Sequence, residues 1–167
     1  MPACPWEGFF SAAQLKRWSE AIPLRFACRR FSAPAGVDQQ ITLAYTAARV
    51  SLPGVRLALL DCDSNRLFLS LPFFPRIEYA RQYVAVIIDT GIENAQLHAG
   101  VSGEAMVLEM SAMGLGSCWV QGTFRRSAVD IPLSSREKVA AVIPYGQPST
   151  KEGRRSRRRK PLKALCL

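Results

Sequence analysis

The sequence is poor in histidine and has no paired cysteines. His98 is the single histidine among the 167 residues, so it cannot by itself anchor a metal cluster or a Ser-His-Asp arrangement. The five cysteines are scattered, and no two of them have Cys-x-x-Cys spacing. This pattern indicates neither a disulfide framework nor a zinc site, and it favours reduced thiols.

Long apolar runs are also missing. The longest, residues 55–60 and 83–88, are far too short to cross a bilayer, and no charged-then-apolar leader opens the chain. The length and the 49% hydrophobic content fit one globular domain, which we place over residues 1–150. We therefore expect a cytoplasmic protein with no membrane partner and no metal.

The net charge of +9 belongs mainly to the C-terminal tail, residues 151–167. Residues 151–163 carry eight Lys or Arg against one Glu, which leaves 14 positive and 12 negative charges elsewhere. The tail has no interleaved aromatic residues, so a specific nucleic-acid reader is not predicted. A solvated tail and sequence-independent binding of a polyanion both stay open.

Periodicity predicts a mixture of helices and strands. Helices are predicted over residues 12–22, 38–50 and 93–113, and strands over residues 55–60, 67–71, 83–89 and 139–145. Asp38 is the expected N-cap of the second helix. Ala105 and Ala112 give the third helix a small-residue face for close packing against a neighbour, and if the protein is a homodimer this face is a candidate for the subunit contact. Because the elements lack regular βαβ alternation, the predicted class is α+β, a mixed sheet flanked by helices.

The most informative stretch, residues 114–124, reads Gly-Leu-Gly-Ser-Cys-Trp-Val-Gln-Gly-Thr-Phe. Glycines let backbone amides approach a planar, partly polar ligand, and Trp119 and Phe124 can supply apolar walls. The alternative is a helix C-cap at Gly114 or Gly116, with Trp119 as an ordinary core residue. The sequence alone leaves both interpretations open.

A second candidate segment, residues 25–31, holds Arg25, Arg29 and Arg30. Guanidinium groups are planar forks that suit phosphate oxygens, so converging arginines make an anion site. The alternative is that these charges simply face water.

Taken together, these segments resemble the nitroreductase-like flavoproteins, which bind flavin mononucleotide (FMN). Residues 25–31 are similar to the family's Arg-x-Ser-x-Arg/Lys-x-Phe element, and residues 103–108 with 114–124 are similar to its helix and flavin-edge loop. Residues 143–148 and 157–162 resemble its closing Gly-x-Pro and Arg/Lys-Lys-Pro-Leu elements. The order of the four elements along the chain is the family's order.

The resemblance implies a role for each matching residue. Arg25, Arg157 and Arg159 would hold the FMN phosphate, with Ala27 beside it, and Arg29 would lie near the pyrimidine edge of the flavin. The flavin-lining residues would be Trp119, Val120, Gln121 and Gly122. The amides of Gln121 and Gly122 would face the reactive ring nitrogen.

Three departures from the family pattern stand out. Ala27 occupies the position of a serine whose hydroxyl binds phosphate, and Gln121 stands where a glycine is more common. Fuller members continue into a segment with an Ala-Pro-Ser-Ala-x-Asn-x-Gln-Pro-Trp motif, which is not found in these 167 residues. If that segment covers the flavin, we expect a second subunit to replace it, or FMN to bind weakly or not at all.

The function implied is an FMN-dependent oxidoreductase that passes electrons from NADH or NADPH to a nitroaromatic or quinone-like acceptor. The cofactor carries the chemistry, so no catalytic side chain is expected. The family generally forms homodimers with the flavin at the subunit interface. The alternative is a shortened, catalytically inactive relative that acts as a binding or assembly protein.

Overall fold

The computed structural model describes residues 9–73 and 75–149, which fold into four α-helices and five β-strands. In chain order the elements are α1 (Ala12–Ala21), β1 (Phe31–Ala33), α2 (Val37–Val50), β2 (Val55–Asp61), α3 (Ser64–Leu67), β3 (Gln82–Asp89), α4 (Ala95–Ala112), β4 (Gly116–Ser117) and β5 (Glu137–Pro148). Helices and strands alternate along the chain, but the named strands pair antiparallel. The predicted α+β class is therefore confirmed.

The sheet is built on β5, the longest strand described. The strand order is β1-β5-β3-β2, and β4 also pairs with β5. Val84 of β3 lies opposite Ile143 of β5, and Ala85 lies opposite Ala58 of β2. β3 is buried along almost its whole length, which suits its run of β-branched residues.

Each face of the sheet has its own hydrophobic cluster. Val84 belongs to the cluster that includes Leu43 of α2 and Met106 of α4, whereas Ala85 belongs to the cluster that includes Leu67 of α3. Successive side chains of a strand point to opposite faces, so β3 contributes to both clusters. α4 packs against α1, α2 and the sheet, which explains why it is apolar on most sides.

Local capping sets where the first two long helices begin. The Ser11 hydroxyl accepts a hydrogen bond from the Gln14 amide at 3.2 Å, which caps α1. The prediction that Asp38 is an N-cap is wrong, because α2 begins one residue earlier with Gly36 as its N-cap. Asp38 instead lies in the first turn, where its negative charge interacts favourably with the helix dipole.

The strand predicted over residues 67–71 is also wrong. The helix α3, which is capped by the Asp63 carboxylate accepting a hydrogen bond from the Asn65 amide at 2.9 Å, ends at Leu67, and residues 68–71 form no named strand. Phe68 keeps only an isolated bridge to Phe124. The short strands β1 and β4 were not predicted, since two or three residues are too few to show alternation.

The predicted basic tail, residues 151–167, lies outside the described residues. Within residues 9–73 and 75–149, no helix is both long enough and apolar enough to span a bilayer. The same part of the chain contains no cluster of His, Cys, Asp and Glu side chains that could hold a metal ion.

Candidate functional site

The glycine-rich loop begins where α4 ends. Gly114 has a φ of 76°, and its amide donates to the Ser111 carbonyl at 3.1 Å. The Leu115 amide donates to the Met110 carbonyl at 2.9 Å. These two bonds form a Schellman motif, which closes a helix through a left-handed glycine. The C-cap interpretation is therefore correct for Gly114.

Gly116 is a glycine because Cys28 lies against it. A Cβ at position 116 would lie 2.6 Å from the Cys28 Cβ and 2.7 Å from its Sγ. The next residue, Ser117, accepts a hydrogen bond from the Cys28 amide at 2.8 Å through its carbonyl, and it forms a parallel bridge with Ala27. The Arg25 segment and the glycine-rich loop are therefore direct main-chain neighbours.

The tip of the loop presents Gln121 and Gly122 to solvent. Val120 is buried, and its amide donates to the Val142 carbonyl at 2.9 Å, which anchors the loop to β5. Within the described residues, neither the Gln121 amide nor the Gly122 amide has a hydrogen-bond acceptor. A Cβ on Gly122 would meet nothing within 4 Å. Two consecutive backbone donors are thus open to a ligand.

Arg25 forms an ion pair with Glu104 of α4. Its Nε lies 2.7 Å from Glu104 Oε1, and its Nη2 lies 3.5 Å from Oε2. The Nε–H makes no aligned hydrogen bond, so the contact is an ion pair supported by one long hydrogen bond from Nη2 to Oε2. The two side chains are 35% and 38% exposed, so the pair lies at the edge of the fold, where an anion can compete for the guanidinium.

Trp119 packs onto α4 rather than standing free in the loop. Its Nε1 donates to Glu104 Oε2 at 2.9 Å. Its ring covers Gly103, where an added Cβ would lie 2.2 Å from Cη2. Glu104 therefore joins the loop to Arg25, and the role of Trp119 as a flavin-lining residue stays a prediction.

Of the remaining predicted site residues, Arg29 lies within the described chain, whereas the two tail arginines do not. The Arg29 carbonyl accepts a hydrogen bond from the Glu78 amide at 2.8 Å, and Arg30 Nε lies 2.9 Å from Glu78 Oε2. These contacts fix the end of the Arg25 segment against the chain that precedes β3. Arg157 and Arg159 lie outside the described residues.

Ser117 has a buried hydroxyl without a partner. The residue is 3% exposed, and within the described chain its Oγ makes no hydrogen bond. Its main chain, by contrast, is paired with Tyr145 of β5 as well as with Ala27.

Burial, followed by the charges of Asp61 and Cys62, raises the pKa of Tyr145 far above its usual value, so the phenol stays neutral.

Sequence reasoning missed Glu104 and Ser117. A signal for Glu104 was present, because it is the single carboxylate in the apolar stretch 101–108 and a half-buried carboxylate needs a partner. No signal existed for Ser117. The burial of its hydroxyl depends on the pairing of β4 with β5, which no local pattern encodes.

Three comparisons bear on the family. A family model described as "Putative TM nitroreductase" matches residues 18–167. A nitroreductase family protein from Streptococcus pneumoniae superposes with a TM-score of 0.69 at 15% identity, covering 90% of this chain and 98% of that one. An FMN-dependent nitroreductase from Clostridium difficile gives 0.60 at 16%, covering 84% and 90%.

A Desulfovibrio desulfuricans chain described as a "putative nitroreductase in complex with fmn" superposes with a TM-score of 0.66 at 19% identity, covering 90% of this chain and 95% of that one. No curated protein matches the chain in sequence. At these identities the solved structures establish the fold, which is the mixed α+β fold of nitroreductases. The family model covers both the Arg25 segment and the glycine-rich loop. The chain therefore belongs to the nitroreductase family that this model describes.

Proposed function

We propose that the protein binds FMN where the Arg25 segment meets the glycine-rich loop. There it would pass electrons from NADH or NADPH to a nitroaromatic or quinone-like acceptor. One observation carries this proposal. The Cys28 amide donates to the Ser117 carbonyl at 2.8 Å, and this bond places a guanidinium segment directly beside a loop with open backbone donors.

The residues present carry the donors and the charge that FMN needs. The amides of Gln121 and Gly122 have no acceptor within the described chain, so they can donate to polar atoms of a flavin ring. Arg25 lies beyond the bridge between Ala27 and Ser117, where its charge suits a phosphate. The family names of the matching structures agree with this ligand.

Binding and orientation are the tasks of this chain's own residues. A bound FMN supplies the two-electron redox chemistry between a reduced nicotinamide and an electron-poor acceptor. Burial, with Asp63 and Asp61 adding to it, raises the pKa of the Cys62 thiol to about 12, so it is no thiolate nucleophile at neutral pH. The loop amides would hold the ring, and a cation at Arg29 would stabilise negative charge on the pyrimidine edge.

A homodimer is part of the proposal, and α2 offers a second candidate surface beside the small-residue face of α4. Ala105 is 4% exposed and Ala112 is half-buried, so that face offers little area, although Ala105 lines an apolar groove with Leu97 and Leu108. The exposed apolar residues of α2 are better placed, since Val37, Ile41 and Tyr45 repeat every four residues and are 71%, 63% and 64% exposed. Such a stripe suits a second copy of the chain.

One observation favours the alternative, an inactive relative that acts as a binding or assembly protein. Glu104 lies 2.7 Å from Arg25 and neutralises the charge that phosphate binding needs. A relative without FMN would keep this ion pair permanently.

The test is the colour and flavin content of the purified chain. We expect absorbance in the flavin bands, FMN released on denaturation, and oxidation of NADH or NADPH when a quinone is added. Arg25→Ala should weaken FMN binding, measured by quenching of flavin fluorescence. The matched control is Arg136→Ala, which removes a surface arginine paired with Asp89 at 3.5 Å. A colourless protein that gains no flavin from added FMN would establish the alternative.

The tail arginines need a separate variant. We propose that Arg157 and Arg159 also contact the phosphate, so replacing both with Ala should weaken FMN binding and leave riboflavin binding unchanged. Equal binding of FMN by this variant and the parent protein would remove both residues from the site.

A further inference from the structure

We infer that the hydroxyl of Ser117 is a hydrogen-bond donor to the phosphate of the bound flavin. The inference rests on the proposed function, because it assigns one more ligand to the same cofactor. Ser117 is 3% exposed, and its Oγ has no hydrogen-bond partner within the described residues. Buried hydroxyls normally have a partner, so an unpaired one points to a group supplied from outside the described residues.

The backbone places Ser117 next to the segment that carries Arg25. Ala27 and Ser117 are bridge partners, and Arg25 precedes Ala27 by two residues. Two residues span at most about 7 Å, so the main chain of Arg25 lies close to this bridge.

The position of Ser117 is also firmly held. Its carbonyl accepts a hydrogen bond from the Cys28 amide at 2.8 Å. The neighbouring residue, Gly116, has no Cβ and therefore lets Cys28 approach more closely than any other residue type would. On the opposite side, Ser117 pairs with Tyr145 of β5. A donor fixed on both sides loses little freedom when it binds an anion, which is the usual advantage of a preorganised site.

Ala27 cannot make this hydrogen bond, because its side chain is a methyl group. Ser117 lies directly beside it and carries the hydroxyl that position 27 does not. We therefore assign to Ser117 the contact that a serine at position 27 would otherwise make.

The experiment compares FMN with riboflavin, which has the same ring and no phosphate. Ser117→Ala should weaken FMN binding roughly ten- to a hundredfold, as expected for one hydrogen bond to a charged group, and leave riboflavin binding unchanged. The flavin-free variant should unfold at the same temperature as the parent or a higher one, because the substitution removes an unpaired buried polar atom. Adding Ala27→Ser to Ser117→Ala should restore FMN binding.

Three results would overturn the inference. Unchanged FMN affinity would show that the hydroxyl makes no contact with the phosphate. An equal loss for FMN and riboflavin, or a lower unfolding temperature of the flavin-free variant, would show that Ser117 supports the fold instead. A parent protein that binds neither flavin would refute the proposed function itself, and this result is distinct because it needs no variant.

Discussion

Glu104 and Glu109, five residues apart on α4, make the same pair of contacts, each with one arginine and one tryptophan. Glu104 pairs with Arg25 and accepts from Trp119 Nε1 at 2.9 Å. Glu109 lies 2.9 Å from Arg17 Nη2 and accepts from Trp18 Nε1 at 2.7 Å. One of these networks ties α1 to the central helix, and the other ties the candidate site to it.

The charge of Glu104 should oppose the binding of an anion at Arg25. Glu104→Gln keeps an oxygen that can accept from Trp119 Nε1 but no longer neutralises the guanidinium. Because a half-exposed ion pair contributes at most about 1 kcal/mol, we expect FMN affinity to rise roughly two- to fivefold. Riboflavin affinity should not change. Fluorescence titration with both flavins measures the effect.

Glu109→Gln is the matched control for this variant. It removes the charge of an equivalent carboxylate on the same helix, but its partners Arg17 and Trp18 belong to α1. FMN affinity should stay as in the parent, although the buried position should lower the free energy of unfolding. Weaker FMN binding by Glu104→Gln would mean that the carboxylate orients Arg25 for the phosphate instead of competing with it.

Much of the fold could be predicted because its main elements are long and periodic. The strands β2, β3 and β5 and the helices α2 and α4 each gave a pattern over six or more residues. The strand predicted over residues 67–71 failed because only Phe68 finds a bridge partner, Phe124, and a short apolar run does not show whether a partner strand exists. Leu15 and Ile22 have helical spacing but are about half exposed, at 52% and 51%, since α1 packs through Trp18.

The sequence predicted which two segments of the main chain form the site, but not the side-chain contacts between them. The motifs implied that the Arg25 segment and the glycine-rich loop meet, and the bridge between Ala27 and Ser117 brings them together. The side-chain network around Glu104 could not be predicted, because it depends on how closely Trp119 approaches Gly103. Contacts of this kind arise from packing between elements distant in sequence, and local patterns do not carry them.

Gly103 should be essential for the packing of Trp119. An alanine at this position would place its Cβ 2.2 Å from the indole Cη2 and force the ring away from α4. We expect Gly103→Ala to lower the free energy of unfolding by about 1–3 kcal/mol, as overpacking of a core does. Urea denaturation followed by tryptophan fluorescence measures this loss.

Gly100→Ala is the control on the same helix. A Cβ at position 100 meets nothing within 4 Å, so this variant gains helix propensity without a clash. It should raise the free energy of unfolding by up to about 1 kcal/mol. Equal effects of the two substitutions would show that the ring moves aside at no cost.

Glu137 should make the stability depend on pH in the acid range. Its carboxylate accepts from Arg56 Nε at 2.9 Å, from Arg56 Nη2 at 3.0 Å and from the Ser134 amide at 2.9 Å. These hydrogen bonds, with Arg56 first, lower the pKa of Glu137 from 4.5 to about 2. The folded protein therefore holds the ionised form more strongly than the unfolded chain does.

The sign of this effect follows from linkage. The stabilisation is fully present above about pH 4.5 and is lost as the pH falls through that value toward about 2. The free-energy difference between the parent and Glu137→Gln should therefore be constant near neutral pH and shrink below about pH 4.5. Arg56→Gln removes the main cause of the lowered pKa of Glu137. The free energy of unfolding of this variant should therefore change less between about pH 4.5 and about pH 2. A difference that stays constant down to about pH 2 would disprove the coupling.

The exposed stripe on α2 should hold the proposed dimer together. Ile41 lies at its centre, between Val37 and Tyr45, and is 63% exposed. A charge at that position would be buried without a partner in the dimer and solvated in the monomer. Ile41→Glu should therefore shift the protein from dimer to monomer, measured by analytical ultracentrifugation, without changing the far-ultraviolet circular dichroism.

Leu133→Glu provides the comparison for Ile41→Glu, because Leu133 is 43% exposed but lies in the loop before β5. It should leave the dimer intact. If the flavin lies between subunits, as the resemblance implies, Ile41→Glu should also release FMN. The fraction of protein without FMN should then rise together with the fraction of monomer as the protein is diluted. A dimer that survives Ile41→Glu, or a parent chain that is monomeric at all concentrations, would show that α2 makes no subunit contact.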